Sequence, residues 1–266
     1  MAERKNRKHT TTKEKVEWTV FQNRIDRYGA YLGGAFEAGG WMGAFLHGTV
    51  VKGKKYSYGN LGISLNDSEE ETMIAFQSIV GGKIYKEKGD NSWALKVSSR
   101  GIPLIASAIE NYAPSRSEFI ALALLWDEMT IEERIEAVTE FKDSIGPGGR
   151  VKVDVTQYQN LVRLPEFLAG VVDARGKPAV TQRHGVRENT QDPSIRIGSP
   201  NRALLEAIQI EYGGVLNEAI TGIESKQGIT LDLFLSHRRA FEFYRKFRFS
   251  LLVKREIGDE TFRRYL

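Results

Sequence analysis

The chain is 266 residues long, with 38 Lys and Arg against 34 Asp and Glu and a formal charge of +4. It contains no cysteine, which excludes disulfides, thiolate zinc sites and cysteine nucleophiles, and no apolar run approaches the ~18 residues of a membrane span. The N-terminus, Met1-Ala2-Glu3-Arg4-Lys5, leads into no apolar core, so the chain reads as non-secreted, and its modest basic excess permits a nucleic-acid partner without demanding one.

Residues 1–15 carry many charges and almost nothing apolar. They read as a disordered tail, with a DNA-contacting arm as the other use of such a segment. A small, apolar helical segment follows, Leu32-Gly33-Gly34-Ala35-Phe36-Glu37-Ala38-Gly39-Gly40. Two strand-like segments come next, then a helix capped by Asp67 and ending near Gly81-Gly82. Trp93-Ala94-Leu95-Lys96-Val97-Ser98-Ser99-Arg100 alternates as a strand and runs into a helix. A charged helix over 130–143 gives way to Ser144-Ile145-Gly146-Pro147-Gly148-Gly149-Arg150, which is the best linker in the chain.

The order then repeats. Leu168-Ala169-Gly170-Val171-Val172-Asp173-Ala174-Arg175-Gly176 restates the first segment, and its acid lies 136 positions after the first (173 − 37). Gly213-Gly214 stands 132 positions after the first double glycine, and Ser236, in the strand starting at Leu231, stands 138 after Ser98. Ser199 precedes a helix, with Pro200 at its first helical position. Two parallel halves separated by small loop insertions account for these offsets. Each half reads helix, two strands, helix, two strands, helices. The expected boundaries are 16–143 and 153–266, with 144–152 as the linker.

In the first segment Ala30, Gly33, Gly34 and Glu37 share a helix face, as do Ala169, Gly170 and Asp173 in the second. Faces this small let two backbones approach closely. Leu32, Phe36, Leu168 and Val172 are left to pack into their own halves. Face-to-face packing would bring Glu37 and Asp173 together at the helix C-termini, with Gly39-Gly40 and Gly176 as left-handed stops. A carboxylate there opposes the helix dipole by roughly 0.3–1 kcal/mol at an exposed site, and two close acids raise one another's pKa. A divalent cation between them removes both penalties. So few carboxylates, with water and phosphate completing the shell, suit Mg²⁺, and bridging metal ions are a known means of phosphodiester hydrolysis. The bland alternative is a pair of glycine-capped helices with one solvated acid each, and the duplication weighs against it.

At these residues the chain resembles the LAGLIDADG homing endonucleases, in the single-chain form with two motif copies. The resemblance covers nearly everything after the N-terminal tail. It implies an α+β fold of two pseudo-twofold-related αββαββα half-domains, each with an antiparallel four-stranded sheet, together forming a DNA-binding saddle. It implies a monomer that serves intron homing, hydrolysing both strands of a long asymmetric double-stranded DNA site with short 3′ overhangs, in whatever compartment holds the host DNA. Glu37 and Asp173 would hold two or more Mg²⁺ ions, with Ca²⁺ expected to bind without supporting cleavage. It further implies a basic residue near each acid at the start of a late helix. Aligning Glu118 with Glu256 puts Arg116 opposite Lys254, to stabilise phosphate charge and position water. Asn66 is a weaker water-positioning candidate, and Gly198 is its counterpart. Gly39 and Arg175 stand where the family name has its second Asp, a position taken as variable.

One face of each sheet would be left uncovered for DNA. The first half offers Lys52, Lys54, Lys55, Tyr56 and Tyr58 around one hairpin and Lys83, Lys86, Lys88 and Lys96 around the next. The second offers Lys177, Gln182, Arg183, His184, Arg187, Arg196 and Lys226. Lys and Arg on strand flanks bind phosphates, and Arg, Gln or Asn on a β-ribbon read base edges. Solvated strand faces are also often Lys-rich. The two sets differ in residue type, so an asymmetric site is expected. The rivals are a splicing maturase that binds intron RNA and a non-cleaving DNA-binding protein on the same scaffold. An intein is not expected, since the splicing nucleophile and the C-terminal His-Asn are missing. The four histidines show no metal-ligand spacing, and no HExxH, P-loop, GxSxG or dinucleotide motif is present.

Overall fold

The computed structural model describes residues 12–51, 53–88, 91–97, 99–146, 148–182, 191–218 and 230–266. In the first half, α1 (Thr12–Arg27) and α2 (Gly29–Ala38) lead into strands β1 (Trp41–Val51) and β2 (Lys54–Asp67). Helix α3 (Glu70–Val80), strands β3 (Lys83–Lys86) and β4 (Trp93–Val97), and helices α4 (Ile102–Ile109), α5 (Ser117–Leu125) and α6 (Ile131–Ser144) follow. The second half repeats the order with α7 (Pro165–Arg175), β5 (Gly176–Gln182), β6 (Gln191–Ser199), α8 (Arg202–Tyr212), β7 (Val215–Glu218), β8 (Leu231–Ser236), α9 (His237–Phe247) and α10 (Arg255–Thr261). The two antiparallel four-stranded sheets have matching orders, β1-β2-β4-β3 and β5-β6-β8-β7. This is the expected α+β duplication. Residues 12–15, assigned to the tail by composition, instead open α1, and residues 1–11 lie outside the described ones.

Strand alternation sorts each sheet into an inner and an outer face. Met42, Ala44, Leu61, Ile63, Leu65, Leu95 and Val97 are buried on the inner face of the first sheet, beneath α3 and α4. Ile195, Ile197, Leu231, Leu233 and Leu235 do the same in the second, beneath α8 and α9. The helices thus cover one face of each sheet and leave the other to solvent.

Three local expectations are corrected. Gly39 (φ −150°) and Gly176 (φ −81°) do not adopt left-handed backbone. Gly176 is needed for room, since a Cβ there would lie 2.7–2.8 Å from Val172 atoms including its backbone, whereas a Cβ on Gly39 would lie 2.0 Å from Arg175 Nε and push that flexible side chain aside. The left-handed stops fall instead at the double glycines, where Gly81 (φ 69°) ends α3 and Gly213 (φ 78°) ends α8. Asn201, not Ser199, caps α8, its side chain accepting from Leu204 N, so Pro200 precedes the helix. In the first half, Asp67 accepts from Glu69 N in a turn just ahead of α3.

Candidate nucleic-acid interface and the centre between the motif helices

Helices α2 and α7 pack directly against each other along their small-residue faces. A Cβ on Gly34 would meet Phe167 O at 2.0 Å, and one on Gly170 would meet Tyr31 O at 1.9 Å. The contact is reciprocal, and only glycine permits it. Gly33 differs from its expected role, because it turns to its own half and rests on Tyr112. The crossing sets Glu37 and Asp173, both fully buried, at equivalent places near the two helix C-termini.

Each acid is saturated with donors. Glu37 Oε1 accepts from Ser115 N at 2.9 Å, and Oε2 accepts from Ser115 Oγ, Tyr158 OH and Asn201 Nδ2 at 2.6, 2.5 and 2.5 Å. Asp173 Oδ1 accepts from Lys254 N at 2.9 Å. Its Oδ2 accepts from Tyr31 OH, Leu252 N and Val253 N at 2.9, 2.8 and 3.3 Å. The carboxylates therefore cap the N-terminal approaches to α5 and α10, where unpaired N–H groups and the helix dipole favour an anion. Each also receives a phenol or amide from the opposite half. Burial pushes the Asp173 carboxyl up, against the N–H donors that favour its charged form. Burial and the adjacent carboxylates hold the Tyr31 and Tyr158 phenols protonated.

Four cations surround the helix ends. Arg116 is fully buried and donates to the carbonyls of Phe36, Gly40, Gly148 and Gly149. Arg150 reaches Glu37 O and Gly40 O at 3.5 and 3.3 Å, and Arg175 Nη2 donates to Gly39 O at 3.1 Å. Ser199 Oγ donates to Ala38 O at 2.7 Å, while Lys254 Nζ donates to Val172 O at 3.3 Å. The carbonyls of residues 36–40, the negative end of α2, are thus all occupied by side-chain donors. Burial, together with the Arg150 charge, pulls Arg116 down to about 9, so it stays cationic at neutral pH. Burial also lowers Arg150, Arg175 and Lys254.

A divalent ion needs free, converging oxygens. Here both carboxylates accept hydrogen bonds at each oxygen, and among the described residues no three acidic or histidine side chains converge as ligands. The cleft beside Arg175 is lined by Asp67 and Asp232 as well as Lys177, Arg196 and Lys254. Asp67 faces Lys254 Nζ at 3.9 Å, and Asp232 accepts from Arg196. The donor set does not fit a divalent cation. Asn66 lies on the outer face of β2, half-buried and opposite Ala94.

Register places the remaining candidates. Lys54, Tyr56 and Tyr58, opposite Val51, Thr49 and His47, point to the outer face of the first sheet, where the Tyr58 and His47 rings lie 5.2 Å apart. Lys83 pairs with Lys96 on that face, and Lys96 Nζ stands 5.6 Å over the Tyr85 ring. Lys86 points the other way, beside Trp93, and exposed Lys88 follows β3. Lys177 pairs with Arg196 on the outer face of the second sheet. Lys52, Arg183, His184, Arg187 and Lys226 lie outside the described residues, as do the side chains of Lys55 and Gln182.

Sequence reasoning missed Tyr31, Ser115, Arg150, Tyr158 and Asn201. Only two had a local signal: Asn201 in a cap-like Ser-Pro-Asn run, and Arg150 directly after the glycine turn.

No family model matches the chain, and no curated protein matches it. Solved structures do. The LAGLIDADG homing endonuclease I-GzeII in complex with its DNA target is 14% identical at a TM-score of 0.57, covering 88% of each chain. I-SmaMI, bound to uncleaved DNA in the presence of calcium ions, is 13% identical at 0.59, over 88% of this chain and 89% of that one. I-LtrWI, bound to target DNA, is 14% identical at 0.60 over 89% of both. The chain has the two-half-domain LAGLIDADG fold.

Proposed function

We propose that this chain binds a specific, asymmetric double-stranded DNA site as a monomer, with the outer faces of its two sheets against the duplex. The observation that carries the reading is the pair of uncovered sheet faces, equivalent in topology and different in side chains, on a fold whose solved examples include DNA complexes. Lys54, Lys83, Lys96 and Lys177 supply phosphate contacts, and Tyr56, Tyr58 and Asn60 supply groups that can meet base edges. Selection of the full chain against a random duplex library tests it. The expected result is one enriched site without internal palindromy. Binding no stronger than to random duplex, or preferential binding to structured RNA, overturns it in favour of the maturase reading.

A second reading is favoured by the endonuclease neighbours, one of which was captured on cleaved DNA. The bound site would also be cut on both strands with Mg²⁺, leaving short 3′ overhangs, as intron homing requires. It requires Glu37 and Asp173 to give up several of their present hydrogen bonds so that their oxygens can bind the ions. Adding Mg²⁺ to the selected complex tests it directly.

A further inference from the structure

We propose that the centre between the motif helices carries a resident guanidinium, Arg175, in the role of a divalent ion, so that the chain holds its DNA without cutting it. The inference rests on the DNA-binding reading above.

Residues 39 and 175 are equivalent in the duplication (175 − 39 = 136), and neither is an acid. They are also in contact. Arg175 Nη2 donates to Gly39 O at 3.1 Å, and the Arg175 side chain lies where a Cβ on Gly39 would be, 2.0 Å from Nε. A longer residue at 39 would therefore displace the arginine side chain from this position. The guanidinium takes the Gly39 carbonyl at the end of α2 as a metal would take an oxygen ligand, while Arg116, Arg150 and Ser199 take its neighbours. The two acids cannot compensate, because Ser115, Asn201 and the two tyrosines hold one or both oxygens of each, and main-chain N–H groups hold the rest. A divalent ion placed here would also meet the positive charges of Arg116, Arg150 and Arg175, which already donate to the carbonyls at this helix end.

The open side of this cluster points to what it holds. Arg175, the last residue of α7, is half-buried and lines a cleft with Lys177, Arg196 and Lys254, whose charges stand beside those of Asp67, Glu69 and Asp232 on the same lining. A backbone phosphate entering there can pass exposed Lys177 and Arg196 to reach half-buried Arg175, whose planar guanidinium suits phosphate oxygens bidentately. The centre then positions the duplex and supplies no hydrolytic water.

The test uses the full chain and its selected duplex. Mn²⁺ is titrated into free protein and complex and followed by its magnetic resonance signal. DNA integrity is read after incubation with Mg²⁺ or Mn²⁺, and affinity is read in EDTA at matched ionic strength. No stoichiometric Mn²⁺ site, intact DNA and an EDTA-independent affinity are expected. Arg175→Ala should weaken DNA binding about tenfold and lower the salt slope by about one, with Arg175→Lys keeping the slope while losing affinity. Discrete Mg²⁺-dependent breaks, a stoichiometric Mn²⁺ site, or a folded Arg175→Ala protein with unchanged DNA affinity would each overturn the proposal. If no duplex is selected, the DNA reading itself fails, and the Mn²⁺ titration of free protein still decides the metal question.

Discussion

Gly34 and Gly170 occupy the same place on opposite sides of the helix crossing, each beneath a main-chain carbonyl of the other helix. The contact is between backbones, so no side-chain rotation can relieve a substituent at either position. Flexible side chains give way cheaply, and a carbonyl held in a helix does not.

Gly170→Ala therefore forces α2 and α7 apart. The Cβ would sit 1.9 Å from Tyr31 O, well inside contact distance. The expected loss is about 1–3 kcal/mol, in line with overpacking a well-filled interior, and Gly34→Ala should cost the same by symmetry. Because both changes strike one interface, the double variant should cost less than their sum. Urea titration of the three proteins measures this, and a stability unchanged in either single variant would refute the crossing geometry.

Glu37→Gln separates a structural carboxylate from a catalytic one. The carboxylate accepts four hydrogen bonds, one of them from the Ser115 main chain. A glutamine amide keeps one oxygen and turns an NH₂ group toward a donor. Leaving buried donors unsatisfied beside it should cost about 2–4 kcal/mol. A carboxylate devoted to metal would instead lose function with stability intact. Differential scanning calorimetry of the variant distinguishes them.

The elevated Asp173 carboxyl makes a pH prediction. Burial raises its folded pKa above the unfolded value near 3.9. The native state then binds the proton more tightly than the unfolded chain, so this residue's favourable contribution is complete below about pH 4 and disappears as pH rises through the folded pKa. Stability of the wild type relative to Asp173→Asn should accordingly increase as pH falls from 7 toward that range. Parallel denaturant titrations across the interval would show the trend, and the opposite slope would mean that the N–H donors outweigh desolvation.

The duplication was legible because it is periodic: repeated glycines, acids and alternating strands reveal two halves at offsets a reader can subtract. The double glycines Gly81-Gly82 and Gly213-Gly214 were legible as equivalent markers near the ends of two helices for the same reason, although the positive φ expected at Gly39-Gly40 and Gly176 falls at them instead. The acids were legible as a pair, yet their surroundings were not. Ser115, Tyr158 and Asn201 reach Glu37 across 78, 121 and 164 positions, and the N–H groups on Asp173 belong to a segment near residue 252 with no distinguishing side chains. A hydrogen-bond shell assembled by tertiary packing leaves no spacing to read. Gly39 misled in another way. It looked like a helix stop, whereas its missing Cβ makes space for Arg175.

The lysines of the β3–β4 hairpin divide by face, which makes the DNA reading specific. Lys83 and Lys96 stand opposite each other on the outer face, and Lys86 lies on the inner side over the Trp93 ring at 5.5 Å. Phosphate-contacting lysines release counterions, so removing one weakens binding across all sequences and reduces the salt slope by about one. Lys83→Ala and Lys96→Ala should each do so, with the enriched site unchanged. Lys86→Ala should leave the slope alone, since its ammonium faces an aromatic ring away from the duplex. Fluorescence anisotropy over a range of KCl concentrations reads all three. Equal effects from Lys86 and Lys96 would mean that the hairpin contributes only diffuse charge, and that the outer face of the first sheet does not track the DNA backbone.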